Sequence, residues 1–112
     1  MLSRFVKSSS IVLILFGGSV WANDIFLEAY GDSIELSLIQ KNGQDNDLDV
    51  YVNGNYNTVN VVQDGNYNTF TIEQTGTQPT TTNVYQNGDN FSATVTQYCT
   101  TQGGCSVTVT QN

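Results

Sequence analysis

The sequence predicts an all-β protein, a β-solenoid with two short strands per rung and about three and a half rungs. Three observations carry that prediction. The pentapeptide Gly54-Asn55-Tyr56-Asn57-Thr58 recurs unchanged eleven residues later as Gly65-Asn66-Tyr67-Asn68-Thr69. Between the turns, apolar and polar residues alternate with the period of a strand. Glutamine then closes one segment after another, at Gln40, Gln63, Gln74, Gln86, Gln97 and Gln111.

Taken in order, residues 1–22 read as a secretory signal peptide. Arg4 and Lys7 form a basic start, Ile11 to Phe16 an apolar run, and Ala22 a small residue at the expected cut. That run falls short of the roughly 20 residues a membrane-spanning helix needs. Residues 23–33 are an N-terminal segment with no assigned role. Residues 34–112 form the repeat region, with strands expected at 34–40, 46–52, 57–63, 68–74, 80–86, 91–97 and 105–111. One parity of each strand is predicted to face inwards. Asn57, Val59, Val61 and Gln63 make one such set, and Asn68, Phe70, Ile72 and Gln74 the next. Asn46, Leu48, Val50 and Val52 precede them, with Val52 where glutamine is expected.

Gly43, Gly54, Gly65 and Gly76 follow at even spacing, and Gly88 comes after one inserted residue near Pro79. Glycine among Asn and Asp favours tight turns. Such turns also suit a meander of hairpins. A meander, however, has no reason to repeat glutamine at the end of strand after strand. A coil does, because every second strand then stacks in register and identical side chains align into ladders. Gln63, Gln86 and Gln111, with Gln40 at the N-terminal end, are expected on one sheet, and Gln74 and Gln97 on the other. Asn46, Asn57 and Asn68 are expected to stack likewise. The last strand, ending at Gln111, has almost nothing after it to act as a cap.

Charge narrows the function. The whole chain carries −7, and residues 23–112 hold one lysine against ten carboxylates. Nucleic acid is an unsuitable partner for such a surface. Asp47 and Asp49 are expected over Thr69 and Thr71, and Glu73 between Tyr51 and Thr96, so that like charges are spread apart. The chain has no histidine, and no nucleophile–base pair or phosphate-binding loop is recognisable. An enzyme, a cofactor and a metal are therefore not expected. Asp45, Asp47 and Asp49 imitate only part of a calcium loop. Strands of about seven residues are also shorter than the 9–11 of a membrane barrel. In an exported chain Cys99 and Cys105 are expected to form a disulfide across the longest turn, a free thiol pair being the alternative.

The stretch from Gln63 through Gly65, Asn68 and Phe70 to Gln74 resembles the curlin repeat, Gln-x-Gly-x2-Asn-x-Ala-x3-Gln, with Phe70 in place of alanine. Gly54, Asn57, Val59 and Gln63 match the preceding half. Gln86, Gly88, Ala93 and Gln97 match again, with Phe91 where asparagine stands in the family. The likeness spans roughly residues 34–111. It implies a secreted structural subunit of an extracellular curli-type amyloid fibre, on the surface of a Gram-negative bacterium. The implied partners are other copies of the chain, other curlin subunits, and curli secretion and chaperone machinery. Fewer rungs than a major subunit, no Gly-rich opening at Asn23–Glu28 and the cysteine pair leave a minor or nucleating subunit open. From another class, the rows Thr69/Thr71 and Thr94/Thr96 offer an ice- or surface-binding solenoid as the alternative.

Overall fold

A computed structural model gives the fold and describes residues 23–112. The expected signal peptide lies outside the described residues. Among the described residues eight strands follow one another: β1 (Asp24–Tyr30), β2 (Ile34–Lys41), β3 (Asp47–Asn53), β4 (Asn57–Asp64), β5 (Thr69–Gly76), β6 (Thr80–Asn87), β7 (Ser92–Cys99) and β8 (Cys105–Gln111). Odd-numbered strands build a first sheet in the order β1-β3-β5-β7, and even-numbered strands a second in the order β2-β4-β6-β8. Every pairing among them is parallel. The chain is thus a β-solenoid of about four turns, each rung contributing one strand to each sheet. Among the described residues no helix is long and apolar enough to cross a membrane.

Strand alternation sets what lies inside. In β4 the side chains of Asn57, Val59, Val61 and Gln63 are buried, while those between them are more open. The core between the sheets is narrow. Ile25, Leu27, Leu48, Val50, Phe70 and Ile72 come from the first sheet, and Leu36, Leu38, Val59, Val61 and Val84 from the second. It thins towards β7 and β8, where Ala93, Val107 and Val109 are only partly covered. Each fully buried aliphatic contributes about 1.5–3 kcal/mol. With about two per strand, the fold tolerates few unsatisfied polar groups in its interior.

One element differs from expectation. The glutamine repeat gives Asp24–Tyr30 no role, yet this segment forms β1 in register with β3, pairing Ile25 with Leu48, Leu27 with Val50 and Ala29 with Val52. This strand brings three and a half rungs to about four. The first-sheet strands also begin one residue later than predicted. Asn46, Asn68 and Phe91 sit in the corners, where their N–H groups donate to an asparagine side chain of the previous rung rather than to a strand.

The corners stack as closely as the strands. Gly54 N donates to Tyr30 O at 2.9 Å, and Gly88 N to Asp64 O at 2.8 Å, so main-chain bonding continues around the bend. Gly65 shows why glycine is needed there: its φ is +121°, and a Cβ would lie 2.1 Å from the carbonyl oxygen of Gly88. No side chain fits at that distance.

Candidate functional site

Interior amides form the chemistry that the strands position. On the second sheet Gln40, Gln63, Gln86 and Gln111 occupy one column. Gln40 Nε2 donates to Gln63 Oε1 at 2.8 Å, Gln63 Nε2 to Gln86 Oε1 at 3.0 Å, and Gln86 Nε2 to Gln111 Oε1 at 2.7 Å. All three bonds run in one direction along the axis. A primary amide has a second N–H, and here it reaches across to the first sheet. Gln40 Nε2 lies 3.2 Å from Asp24 O and 3.3 Å from Asn46 O, and Gln63 Nε2 lies 3.3 Å from Asp47 O and 3.4 Å from Asn68 O. The column therefore joins rung to rung and also braces one sheet against the other. Gln40, Gln63 and Gln86 are wholly buried.

On the first sheet the arrangement is different. Gln74 and Gln97 stand in register, below Ala29 and Val52. No amide-to-amide bond joins them. Gln97 Oε1 accepts instead from Thr82 Oγ1 at 3.0 Å, and neither side-chain atom of the fully buried Gln74 has a partner. Register alone does not make a ladder: Gln74 has an aliphatic neighbour on one side and an acceptor already occupied on the other.

Asparagine forms a second column, and it includes a residue that the repeat did not single out. Asn23 Oδ1 accepts from Asn46 N at 3.1 Å, Asn46 Oδ1 from Asn68 N at 3.0 Å, and Asn68 Oδ1 from Phe91 N at 3.0 Å. In return Asn46 Nδ2 donates to Gly65 O and Asn68 Nδ2 to Gly88 O, both at 2.8 Å. Each side chain thus fastens the next corner. Asn57 does not belong with Asn46 and Asn68. It lies on the other sheet beside Thr80, buried, with its Nδ2 unpartnered. The repeat gives Asn57 and Asn68 the same local setting, but they occupy opposite corners of the coil.

Two further corner ties escaped the repeat. Asp32 N donates to Asn55 Oδ1 at 2.9 Å, and Asn66 N to Asp89 Oδ1 at 2.7 Å. The signal for Asn23 and β1 was present, since Gly31 precedes Gly54 by the same interval that separates Gly65 from Gly88. Of the predicted turn glycines, Gly54, Gly65, Gly76 and Gly88 have positive φ, and Gly43 packs against the carbonyl of Gly65.

Outer faces are unequal. The first sheet presents Asp24, Glu28, Asp47, Asp49 and Glu73, with Phe26, Tyr30 and Tyr51 among them. Asp47 and Asp49 do stack over Thr69 and Thr71, and Glu73 lies between Tyr51 and Thr96. Yet Asp24 sits directly over Asp47, so like charges are not fully spread. Burial, and then Asp49 and Asp24, raise the Asp47 pKa above its ordinary 3.8. The threonine rows are also thinner than expected. Thr71 faces Thr94, but Thr69 faces Ser92 and Thr96 faces Glu73. Lys41 pairs with Asp64 at 3.3 Å on the second sheet. Cys99 and Cys105 are joined by a disulfide with their Cα atoms 5.8 Å apart. Among the described residues no cluster of three or more acidic, cysteine or histidine side chains is placed to hold a metal.

No known family, no curated protein and no solved structure matches this chain.

Proposed function

We propose that this chain is a structural subunit of an extracellular curli-type amyloid fibre, in which exported copies stack end to end along the solenoid axis and contribute to adhesion and biofilm matrix. The observation that carries this reading is the inward column Gln40–Gln63–Gln86–Gln111, bonded amide to amide. A column of that kind gains one more bond whenever another rung is added. The C-terminal rung supports the same reading. Globular proteins guard an exposed sheet edge with charge, proline or a bulge, whereas β7 and β8 contain no charged side chain and no proline. Four rungs would lengthen a fibre by about 19 Å, at roughly 4.8 Å for each. Export through a Gram-negative secretion system, with its chaperones, accompanies the proposal.

A minor or nucleating subunit is the second reading, and one observation favours it. In the first sheet Ala29 and Val52 occupy the column in which Gln74 and Gln97 follow, so the two halves of the solenoid offer different rungs. One experiment tests both. The chain recovered after export, expected to begin at Asn23, is incubated alone and followed by electron microscopy and fibre diffraction. Unaided growth of fibres with reflections near 4.8 and 10 Å is the expected result. Poor growth alone, with strong seeding of another curlin, supports the nucleator. A chain that stays monomeric at high concentration and seeds nothing refutes both.

A further inference from the structure

β7 and β8 form one end of the coil, over its least covered core. Among the described residues each has a single strand neighbour, β5 for β7 and β6 for β8. The corner between them, Thr100–Gly104, is with 42–46 one of the two longest among the described residues. Its internal bond, Gly104 N to Thr101 O at 3.0 Å, ties it only to itself. The core beneath is half finished: Ala93, Val107 and Val109 are partly open, while Phe70 and Val84, one rung back, are buried. Strands held on one side only, over a thin core, fray readily. The Cys99–Cys105 disulfide lies at this place and joins the first sheet to the second.

We propose that this clamped rung is the face on which a second exported copy, beginning at Asn23, docks through its β1 and β2, and that reducing Cys99–Cys105 switches the face off. The proposal rests on the fibre reading above and adds which end grows and what controls it. Continuing the register places Ile25 and Leu27 of the incoming copy on Ala93 and Val95, filling the half-finished core. Leu36 and Leu38 likewise land on Val107 and Val109. Gln40 lands on Gln111. The amide chemistry is complementary, because Gln111 Oε1 already accepts from Gln86, leaving its N–H groups to donate, while Gln40 Oε1 has no partner. Docking the other way round, with two like ends meeting, would set carbonyl against carbonyl or amine against amine.

Reduction by a small dithiol proceeds by exchange. One thiolate attacks a sulfur of the disulfide, the second closes the dithiol into its own cyclic disulfide, and Cys99 and Cys105 leave as thiols carrying the two electrons and two protons. A cross-link six positions apart restricts the unfolded loop enough to shift the balance between ordered and frayed rung on the order of fiftyfold. The last rung loses that constraint, while β1 and β2, at the far end, keep their packing.

The test compares oxidised chain with chain that has been reduced and alkylated, both offered to seeds of its own fibres. Oxidised chain is expected to extend the seeds. Alkylated chain should extend them at least about tenfold more slowly. At substoichiometric amounts it should also stop the growth of oxidised chain, since it docks through an intact β1–β2 rung and then presents an unclamped face. The double variant Cys99→Ala, Cys105→Ala should behave in the same way. Equal growth by oxidised and alkylated chain overturns the proposal. So does alkylated chain that leaves oxidised growth untouched, which is the result expected of a chain that merely misfolds. Absence of fibres from the oxidised chain removes the fibre reading and this inference together, whereas fibres indifferent to reduction remove this inference alone.

Discussion

Gln63 and Gln74 are the same residue, equally buried, and leucine should have opposite effects at the two places. Gln63 Oε1 accepts from Gln40 at 2.8 Å, and its Nε2 donates to Gln86 at 3.0 Å and towards two carbonyls of the first sheet. Leucine at 63 removes all of these and leaves Gln86 Oε1 without its donor. An orphaned buried acceptor costs about 1–3 kcal/mol, and each lost bond roughly 1 kcal/mol more. The added apolar surface returns part of this, so the net loss is about 2–4 kcal/mol. Gln74 has no partner for either side-chain atom. Gln74→Leu therefore deletes two unsatisfied groups beside Val52, and should be neutral or stabilising by about 1–3 kcal/mol. Guanidinium unfolding of freshly recovered monomer, followed by circular dichroism, measures both variants. Equal destabilisation by the two substitutions, or a harmless Gln63→Leu, would refute the ladder as a source of stability.

Further outcomes follow from other columns. Asn68→Ala should cost about 2 kcal/mol, because Phe91 N and Gly88 O lose their partners; Asn57→Ala, removing a donor that is already unpartnered, should cost less in the same unfolding assay. Gly65→Ala and Gly103→Ala both place a side chain at positive φ, at roughly 1–3 kcal/mol of strain. Only Gly65 also meets a carbonyl, 2.1 Å from the added Cβ, while Gly103 faces open space; thermal unfolding should rank Gly65→Ala clearly lower. Asp47 is raised above 3.8 by burial, Asp49 and Asp24, so the folded chain holds its proton more tightly than the unfolded one. Its contribution to stability is complete below pH 3.8 and is lost as pH rises through the raised pKa. Asp47→Asn should flatten that stretch of the pH–stability curve and raise stability at neutral pH, and a denaturant series across pH checks it.

The coil, its parity and one full ladder were legible because they depend on periodicity, which a single sequence carries openly. Gln40, Gln63, Gln86 and Gln111 needed only the alternation and the turn spacing to be placed. What escaped depended on neighbours rather than period. β1 is hidden because Ala29 occupies the glutamine column, so the glutamine repeat does not mark that strand. Gln74 repeats the motif of Gln63, yet its bonding depends on what lies above and below it, and there it meets Val52 and an amide engaged by Thr82. Asn57 and Asn68 read alike for the same reason. Their corners are distinguished only once the chain has been wound.

The ladder spacing has a consequence for how such a chain tolerates change. Partners in the glutamine column lie 23, 23 and 25 positions apart, and the longer interval, from Gln86 to Gln111, is absorbed by the corner at Thr100–Gly104. Length can therefore drift at the bends without disturbing what faces inwards. Within a strand the same single insertion would turn every following side chain of that strand to the opposite face. The loop closed by the two cysteines is thus the natural place to graft a foreign peptide, whereas the seven or eight residues of each strand leave no room for one.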